Sequence, residues 1–473
     1  VRLDELAGAR VLMLGLGIDN LAALAAVSGA GPASLTAAVD DVDAVTDADC
    51  LVLVAAGAEL VTTALAIDVV EAAGGGSGLR GGSGSSEGSV VVLRAPGYPR
   101  HGPVCARLER SGARFTTAVD LWMGTYGSDR EVVGITGTKG KSTVTSLLDQ
   151  LLDLLGIEHL MGGNIGLAIW EQAPLPPSGV PAVIEVSSYM AADAHHPPSI
   201  GVLTSLDADH LTWHGSVEAY RTDKLRLFTG GGAETPRIVL VNSADPVAVG
   251  SLETSGVEVR CIAQKRSRSL PAAERLVERG FPTHLGSNLA LAVAAAEELC
   301  LALGRGTDAL DAALLELADR YEALPSRHVT IAEHDGVRYI DDALASNPFA
   351  AAAAIGAVGD RPVTWLIGGQ SRDVSLEPML QALVAASKPV LLVGLPDTGL
   401  DWCERLVDGV EGSAEVSATS AADLVEAVRL AADRTPPGGV VLFAPGAPTP
   451  PRLGTYRERA AAFSAAVGML RPG

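Results

Sequence analysis

Positive charge is scarce in this chain. Lys and Arg number 35 against 56 Asp and Glu, a formal net charge of −21. Nucleic acid is held by clustered cations, so this balance excludes it as a partner. A nucleotide stays possible, because it needs only one local electropositive pocket. Cysteine is also sparse: Cys50, Cys105, Cys261, Cys300 and Cys403. None forms a Cys-x-x-Cys pair, so neither a zinc site nor a thiol–disulfide motif is suggested. The thiols read as small buried hydrophobes in a reducing compartment. No apolar run approaches membrane-span length without charge, Gly or Pro interrupting it. Val1-Arg2-Leu3-Asp4-Glu5 lacks the apolar stretch of a signal peptide. The expectation is a cytoplasmic enzyme with no membrane insertion.

Against these absences stands one dense motif, Gly134-Ile135-Thr136-Gly137-Thr138-Lys139-Gly140-Lys141-Ser142-Thr143. Residues 129–133 before it turn from charged to apolar. In residues 144–152 after it, apolar positions recur at helical spacing. The glycines therefore lie between an expected strand and an expected helix. Such a turn presents backbone N–H groups to phosphate, and the helix N-terminus adds partial positive charge. Lys141 can reach the β- and γ-phosphates of a nucleotide, and Ser142 offers a hydroxyl to Mg²⁺. A Gly-rich turn with a surface lysine is the bland alternative, and the strand–loop–helix context argues against it. Ile135 stands where the plain phosphate-loop pattern has Gly, which points to a subfamily rather than a generic ATPase.

Hydrophobic residues make up 48% of the 473, enough for two to four cored domains. Residues 10–22 read as a strand, a Gly15-Leu16-Gly17 turn and a helix; by itself that motif is weak. Apolar runs at 50–55 and 89–93 look like strands of a parallel sheet buried on both faces. The Gly/Ser stretch at 74–88 reads as a flexible surface insertion. Ala95-Pro96-Gly97-Tyr98-Pro99-Arg100 follows a strand directly, at the sheet edge where ligands bind in open α/β sheets. Further strands are expected at 182–186, 202–206, 237–241, 338–341, 363–367, 389–393 and 440–444. Helices are expected at 217–228, 289–304 and 421–434, and Leu324-Pro325-Ser326-Arg327-His328 reads as a linker. The plan is α/β, with three consecutive α/β domains at 1–118, 119–325 and 326–473.

Glu185 closes a strand expected to be buried. A carboxylate there is costly unless paired or metal-bound, and beside a phosphate loop Mg²⁺ is the natural partner. Asp209-His210 ends the next strand in the same way, so Glu185 and His210 should meet near Lys141. Lys224 lies on an expected helix, and spacing alone does not distinguish it from a solvent-facing lysine.

Taken in order, Gly134 to Thr143, Gly162-Gly163-Asn164-Ile165-Gly166, Glu185-Val186-Ser187-Ser188, Asp209-His210, residues 220–224, residues 324–327, Tyr339-Ile340-Asp341-Asp342 and Gly368-Gly369 resemble the Mur ligases. These are ATP-dependent amide ligases of peptidoglycan precursor synthesis. The likeness is greatest to the MurD-like branch, which joins glutamate to UDP-N-acetylmuramoyl-L-alanine. It implies a Rossmann-like UDP-binding domain, a central P-loop ATPase domain and a C-terminal Rossmann-like domain for the amino acid. It also implies that ATP phosphorylates the substrate carboxylate and that an amine displaces the phosphate. By motif, Lys141, Glu185, His210 and Lys224 would be catalytic. Gly137, Thr138, Lys139, Gly140, Lys141, Ser142 and Thr143 would hold ATP, with Asn288 at the adenine, Arg327 at phosphate and Asp342 at the ribose. Ser142, Glu185, His210 and Lys224 would hold Mg²⁺, with Lys224 carbamylated. Gly15, Gly17, Asp19 and Asn20, with the 95–98 loop, would hold the UDP end, and Asn164 and Ser187 would touch the substrate. Ser346, Arg372, Thr449 and Tyr456 would face the amino acid. A monomer is expected.

Several positions depart from that family. Lys139 replaces the usual Asn of the phosphate loop, and Ser287 and Leu291 replace His and Asn near Asn288. The largest change lies in the third domain, where Leu344 replaces a lysine and Arg372, Thr449 and Tyr456 replace Lys, Ser and Phe. Arg372 could still clamp a carboxylate, but the incoming amino acid should lie differently. L-glutamate is therefore favoured over D-glutamate, and an L-product would call for a downstream epimerase. Three other readings are weaker. A folylpolyglutamate synthase-like ligase would lack the first domain. A regulatory P-loop ATPase would carry a Walker B Asp. A degenerate binding protein would have lost Lys141, Glu185 or Lys224.

Overall fold

The computed structural model describes residues 1–74, 89–165, 168–171, 177–230, 235–279, 281, 285–321, 326, 328–370, 375–386, 388–410 and 416–470. Residues 75–88 of the insertion expected at 74–88 lie outside them, as do Arg327 and Arg372, while Gly74 ends the helix Thr63–Gly74. The chain divides into two compact units, Val1–Tyr321 and Glu322–Gly473.

The first unit contains two sheets. Strands β1 (Arg10–Leu14), β2 (Ser34–Val39), β3 (Glu59–Thr62), β4 (Val90–Arg94) and β5 (Arg114–Thr116) form a parallel sheet in the order β3-β2-β1-β4-β5. The order reverses direction between β1 and β4. Strands β6 (Val132–Thr136), β7 (Leu160–Gly163), β8 (Ala182–Glu185), β9 (Ile200–Leu203), β10 (Ile238–Asn242) and β11 (Val259–Ile262) form a second parallel sheet, β11-β10-β9-β6-β8-β7. Here the reversal falls at β6, between β8 and β9. Ligands of open α/β sheets bind outside the carboxyl ends of strands at such reversals. Every residue of β6, β8 and β9 is buried. This is why they read as continuous apolar runs rather than as an alternation.

The second unit contains β12 (Val329–His334), β13 (Val337–Asp341), β14 (Val363–Ile367), β15 (Val390–Gly394), β16 (Val416–Ser420) and β17 (Val440–Phe443), in the order β12-β13-β17-β14-β15-β16. Only the edge strand β12 runs antiparallel to its neighbour. The carboxyl ends of β13, β17 and β14 are therefore adjacent.

Two strand expectations shift. Residues 50–55 are helical, within the helix Asp47–Ala55. Thr46 caps that helix by accepting the Asp49 N–H at 3.2 Å, and Asp47 and Asp49 suit its positive end. Only Leu53 of the helix is buried, while Leu51 and Val54 are 71% and 74% exposed, so apolar content was a poor guide to burial here. In addition, β9 stops at Leu203 rather than 206, because residues 204–207 turn back to bond the phosphate loop. Among the described residues one helix, Leu285–Ala302, is long and apolar enough to cross a membrane, and 72% of it is buried inside the protein.

Candidate active site

The phosphate loop leaves β6 at the reversal point and enters the helix Lys141–Leu154. Two glycines are required by geometry. Gly137 has φ +150°, and a Cβ there would lie 1.9 Å from Thr204 Oγ1; Gly140 has φ +85°, and its Cβ would lie 2.7 Å from Asn288 Oδ1. Asn288 therefore abuts the loop. The loop is also pinned from two sides: Thr138 Oγ1 pairs with Tyr220 Oη, on the helix Val217–Thr229, at 2.7 Å, and Lys139 N–H donates to Ser205 Oγ, beyond β9, at 2.9 Å. Lys141 Nζ lies back across the loop, donating to the Gly137 and Thr138 carbonyls at 3.0 and 3.3 Å. Ser142 is buried in the first helical turn.

Glu185 is fully buried and pairs in register with Ile135 on β6. Its Oε1 accepts from Asn164 Nδ2 at 2.7 Å, while its Oε2 is buried with no hydrogen-bond partner among the described residues. A buried carboxylate oxygen left in that state is costly, and a hard cation would satisfy it. The donor set therefore fits Mg²⁺.

Lys224 is 2% exposed, contrary to the solvent-facing default for a helix lysine. It donates from Nζ to the Gly137 carbonyl at 2.9 Å, the oxygen that Lys141 also reaches. Burial, then Lys141, hold its ammonium well below the ordinary lysine range, against the opposing pull of Asp209 and Glu185. A shift in that direction favours the uncharged amine, which is the nucleophile that carbamylation needs. His210 sits at φ +52°, a left-handed conformation that is uncommon for a non-glycine residue. Burial drives its imidazolium down to about 4, with Asp209 opposing and Lys141 and Lys224 adding to the shift. It is thus a neutral donor near neutral pH. Ser187 Oγ caps the short helix Ser188–Ala191 by accepting from Met190 N–H at 3.2 Å.

Gly15 and Gly17 lie in the turn after β1, packed against Ala95. Asn20 is fully buried and braces that turn rather than opening onto it, donating from Nδ2 to the Gly15 and Leu93 carbonyls at 3.0 and 3.1 Å. Asp19 is raised to about 6 by burial and by the neighbouring Glu171.

The residue that shapes the 95–98 loop was not anticipated. Arg94, fully buried at the end of β4, donates from Nη1 to the carbonyls of Ala95, Pro96 and Tyr98 at 3.0, 3.0 and 2.9 Å. Its Nε pairs with buried Asp193 at 2.6 Å, and its Nη2 reaches the Tyr189 carbonyl at 2.6 Å. The signal was available: a charge closing a buried strand, the same feature that singled out Glu185.

In the second unit the loops after β13, β17 and β14 bond to one another. Asp342 N–H donates to the Phe443 carbonyl, Gly446 N–H to Ala345, and Gln370 N–H to Pro448, at 2.8, 2.7 and 2.9 Å. Asp342 and Ser346 lie in the loop after β13 and Thr449 in the segment after β17, whereas Tyr456 opens the helix Tyr456–Gly468. Arg459 was also unforeseen. It is buried, donates to the Gly368 carbonyl at 2.6 Å and is pushed down to about 10 by burial.

Residues 135–274 match the family model described as the Mur ligase middle domain. Over 99% of its length the chain is 34% identical to 98% of a Micromonospora sp. protein named UDP-N-acetylmuramoyl-L-alanine–L-glutamate ligase. A Salinispora tropica protein of the same name is 32% identical, with 99% of each chain covered. Among solved structures, MurF ligase from Thermotoga maritima in complex with ADP superposes with a TM-score of 0.54 at 15% identity, covering 98% of this chain and 96% of that one. MurC from the same organism, a UDP-N-acetylmuramate–alanine ligase, gives 0.51 at 16% identity, covering 96% and 98%. At those identities the structural likeness speaks to the fold.

Proposed function

The chain belongs to the Mur ligase family, and from that premise we propose that it joins glutamate to UDP-N-acetylmuramoyl-L-alanine at the expense of ATP, in peptidoglycan precursor synthesis. One observation carries the reading. A phosphate loop, a fully buried carboxylate with an unpartnered oxygen and a fully buried lysine converge where β6 and β8 end.

A carboxylate is a poor electrophile because its charge is delocalised over both oxygens. Transfer of the γ-phosphoryl group to it gives an acyl phosphate with a good leaving group. The glutamate amine then attacks, and the tetrahedral intermediate expels phosphate. The loop N–H groups and Lys141 gather the negative charge of ATP and of the transferring group. Glu185, Ser142, His210 and carbamylated Lys224 would hold Mg²⁺, which when bound supplies Lewis-acid neutralisation of phosphate oxygens. Carbamylation converts a buried amine into an acid-like oxygen ligand. Asn164 orients Glu185 through a 2.7 Å hydrogen bond. Gly15, Gly17, Asp19 and the 95–98 loop would receive the UDP end, and Asn288 the adenine.

L-glutamate is the amino acid we favour. The Micromonospora and Salinispora relatives carry that name. Leu344, in the loop after β13, puts an aliphatic side chain where the family has a cation, which supports an altered seat for the amino acid. An L-product would then need an epimerase. The test is phosphate release with UDP-N-acetylmuramoyl-L-alanine, ATP and either glutamate enantiomer. Turnover with L-glutamate is expected. Preference for D-glutamate would overturn the stereochemical part, and no turnover with either would overturn the whole.

A further inference from the structure

His101 follows the 95–98 loop, and no role has been given to it above. Its Nε2 lies 2.6 Å from Asp223 Oδ2, on the helix that carries Lys224. The same carboxylate oxygen lies 2.6 Å from His214 Nδ1, and His214 Nε2 lies 3.0 Å from Ser188 Oγ. The chain of contacts thus runs from the loop after β4, through the Lys224 helix, to the segment that follows Glu185. We propose that His101 is a positioning residue for the ligase reaction. Bonded to Asp223, it fixes the substrate-facing loop against the Lys224 helix and, through His214, orients Ser188 beside Ser187.

The proton assignments follow from chemistry. An ionised Asp223 only accepts, so both imidazoles present N–H to it. With Nδ1 of His214 engaged by Asp223, its Nε2 faces the Ser188 hydroxyl at 3.0 Å. The three side chains have the composition of a metal site, with ligand atoms within 4.8 Å of one another. However, donor–acceptor spacings of 2.6 Å are those of charge-assisted hydrogen bonds. Ligands around a tetrahedral ion about 2.1 Å away would stand roughly 3.4 Å apart.

Burial separates the roles. The side chains of Asp223 and His214 are 8% and 0% exposed, whereas that of His101 is 42% exposed. Removing His101 leaves Asp223 still bonded to His214, so the core stays satisfied and only the loop's attachment is lost. The loop is otherwise held by Arg94 and by Trp213 Nε1, which donates to the Gly97 carbonyl at 3.3 Å. His101 stands edge-on to the same indole, with centroids 5.9 Å apart.

The inference rests on the ligase reading for its kinetic part, and its test has an arm that does not. In the full chain, His101→Ala should lower kcat with the UDP-linked acceptor about tenfold, since small misplacements in a positioned reaction are expensive. The KM for ATP and the melting temperature should be unchanged. Amide hydrogen exchange should quicken both at 95–101 and, beyond direct contact, at 186–191. His101→Gln, whose carboxamide nitrogen can occupy the place of Nε2, should restore most of the rate and protection. Unchanged exchange at 186–191 in the alanine variant would overturn the proposal, as would a glutamine variant no better than alanine. If the wild-type protein forms no amide, the ligase reading fails and the exchange result alone decides this one.

Discussion

The unpartnered Oε2 of Glu185 leads to a prediction in which stability and activity move in opposite directions. Without metal, this oxygen is a liability. Its residue is fully buried, and among the described residues only Oε1 has a hydrogen bond, from Asn164. Stranding one buried charged acceptor costs about 1–3 kcal/mol. Glu185→Gln removes the charge while keeping the shape and the Asn164 acceptor, although its new N–H₂ group also needs a partner. The net gain should be about 1 kcal/mol, which for a unit of this size corresponds to a rise in melting temperature of about 2 °C. With Mg²⁺ and ADP the ranking should invert. A ligand at 100 times its Kd stabilises the wild type by about 2.7 kcal/mol, and the variant should lose most of that increment. Ligation should fall about a thousandfold, on the scale of removing a preorganised charge-stabilising group. Thermal unfolding of both proteins with chelator, with Mg²⁺ alone and with Mg²⁺ plus ADP measures every part. A variant less stable than wild type in chelator, yet equally stabilised by Mg²⁺ and ADP, would refute the view that this oxygen is kept for a cation.

Other outcomes are expected from the same geometry. Lys224→Ala should abolish ligation, and short carboxylic acids should restore part of it by supplying the oxygen that a carbamate would present. Activity retained in the variant, or no rescue under assay with added acetate or formate, would count against carbamylation. Asp19 gives a stability prediction with a defined sign. Its carboxyl moves from an ordinary 3.8 to about 6 on folding, so the folded state binds the proton more tightly. Stability should therefore fall as pH rises from 3.8 to about 6 and stay lowered above that. Asp19→Asn should be more stable than wild type at pH 7.5, by on the order of 1–2 kcal/mol after allowing for solvent screening. The difference should vanish below pH 4 in denaturant titrations.

Much of the architecture was legible because buried parallel strands are continuous apolar runs. Residues 363–367 and 440–444 could be placed almost to the residue against Val363–Ile367 and Val440–Phe443. Residues 50–55 could not, because their apolar side chains face solvent along a capped helix. The strands β2, β3, β5, β7, β11, β12 and β16 were not anticipated, being short or of mixed polarity. Within the candidate site, Lys141, Ser142 and Glu185 stood out from local pattern alone. Arg94 offered the same signal and was passed over; His101, His214 and Asp223 did not stand out, because the partners they meet lie between 9 and 122 residues away in the chain.

By itself, then, the amino-acid sequence determined that a nucleotide-type phosphate loop sits between a strand and a helix, that a carboxylate closes a buried strand, and that the chain carries the ordered motifs of a ligase family. These are properties of neighbours in the chain, where backbone geometry and side-chain type suffice. Tertiary structure alone decided that Lys224 is a buried amine beside Lys141 rather than a solvated cation, and that Glu185 keeps one oxygen without a partner. It also decided that Arg94 and His101 tie the loop of the first sheet to the second. Each depends on what lies opposite a group in space. Burial raises the cost of charge only once distant segments have displaced the water.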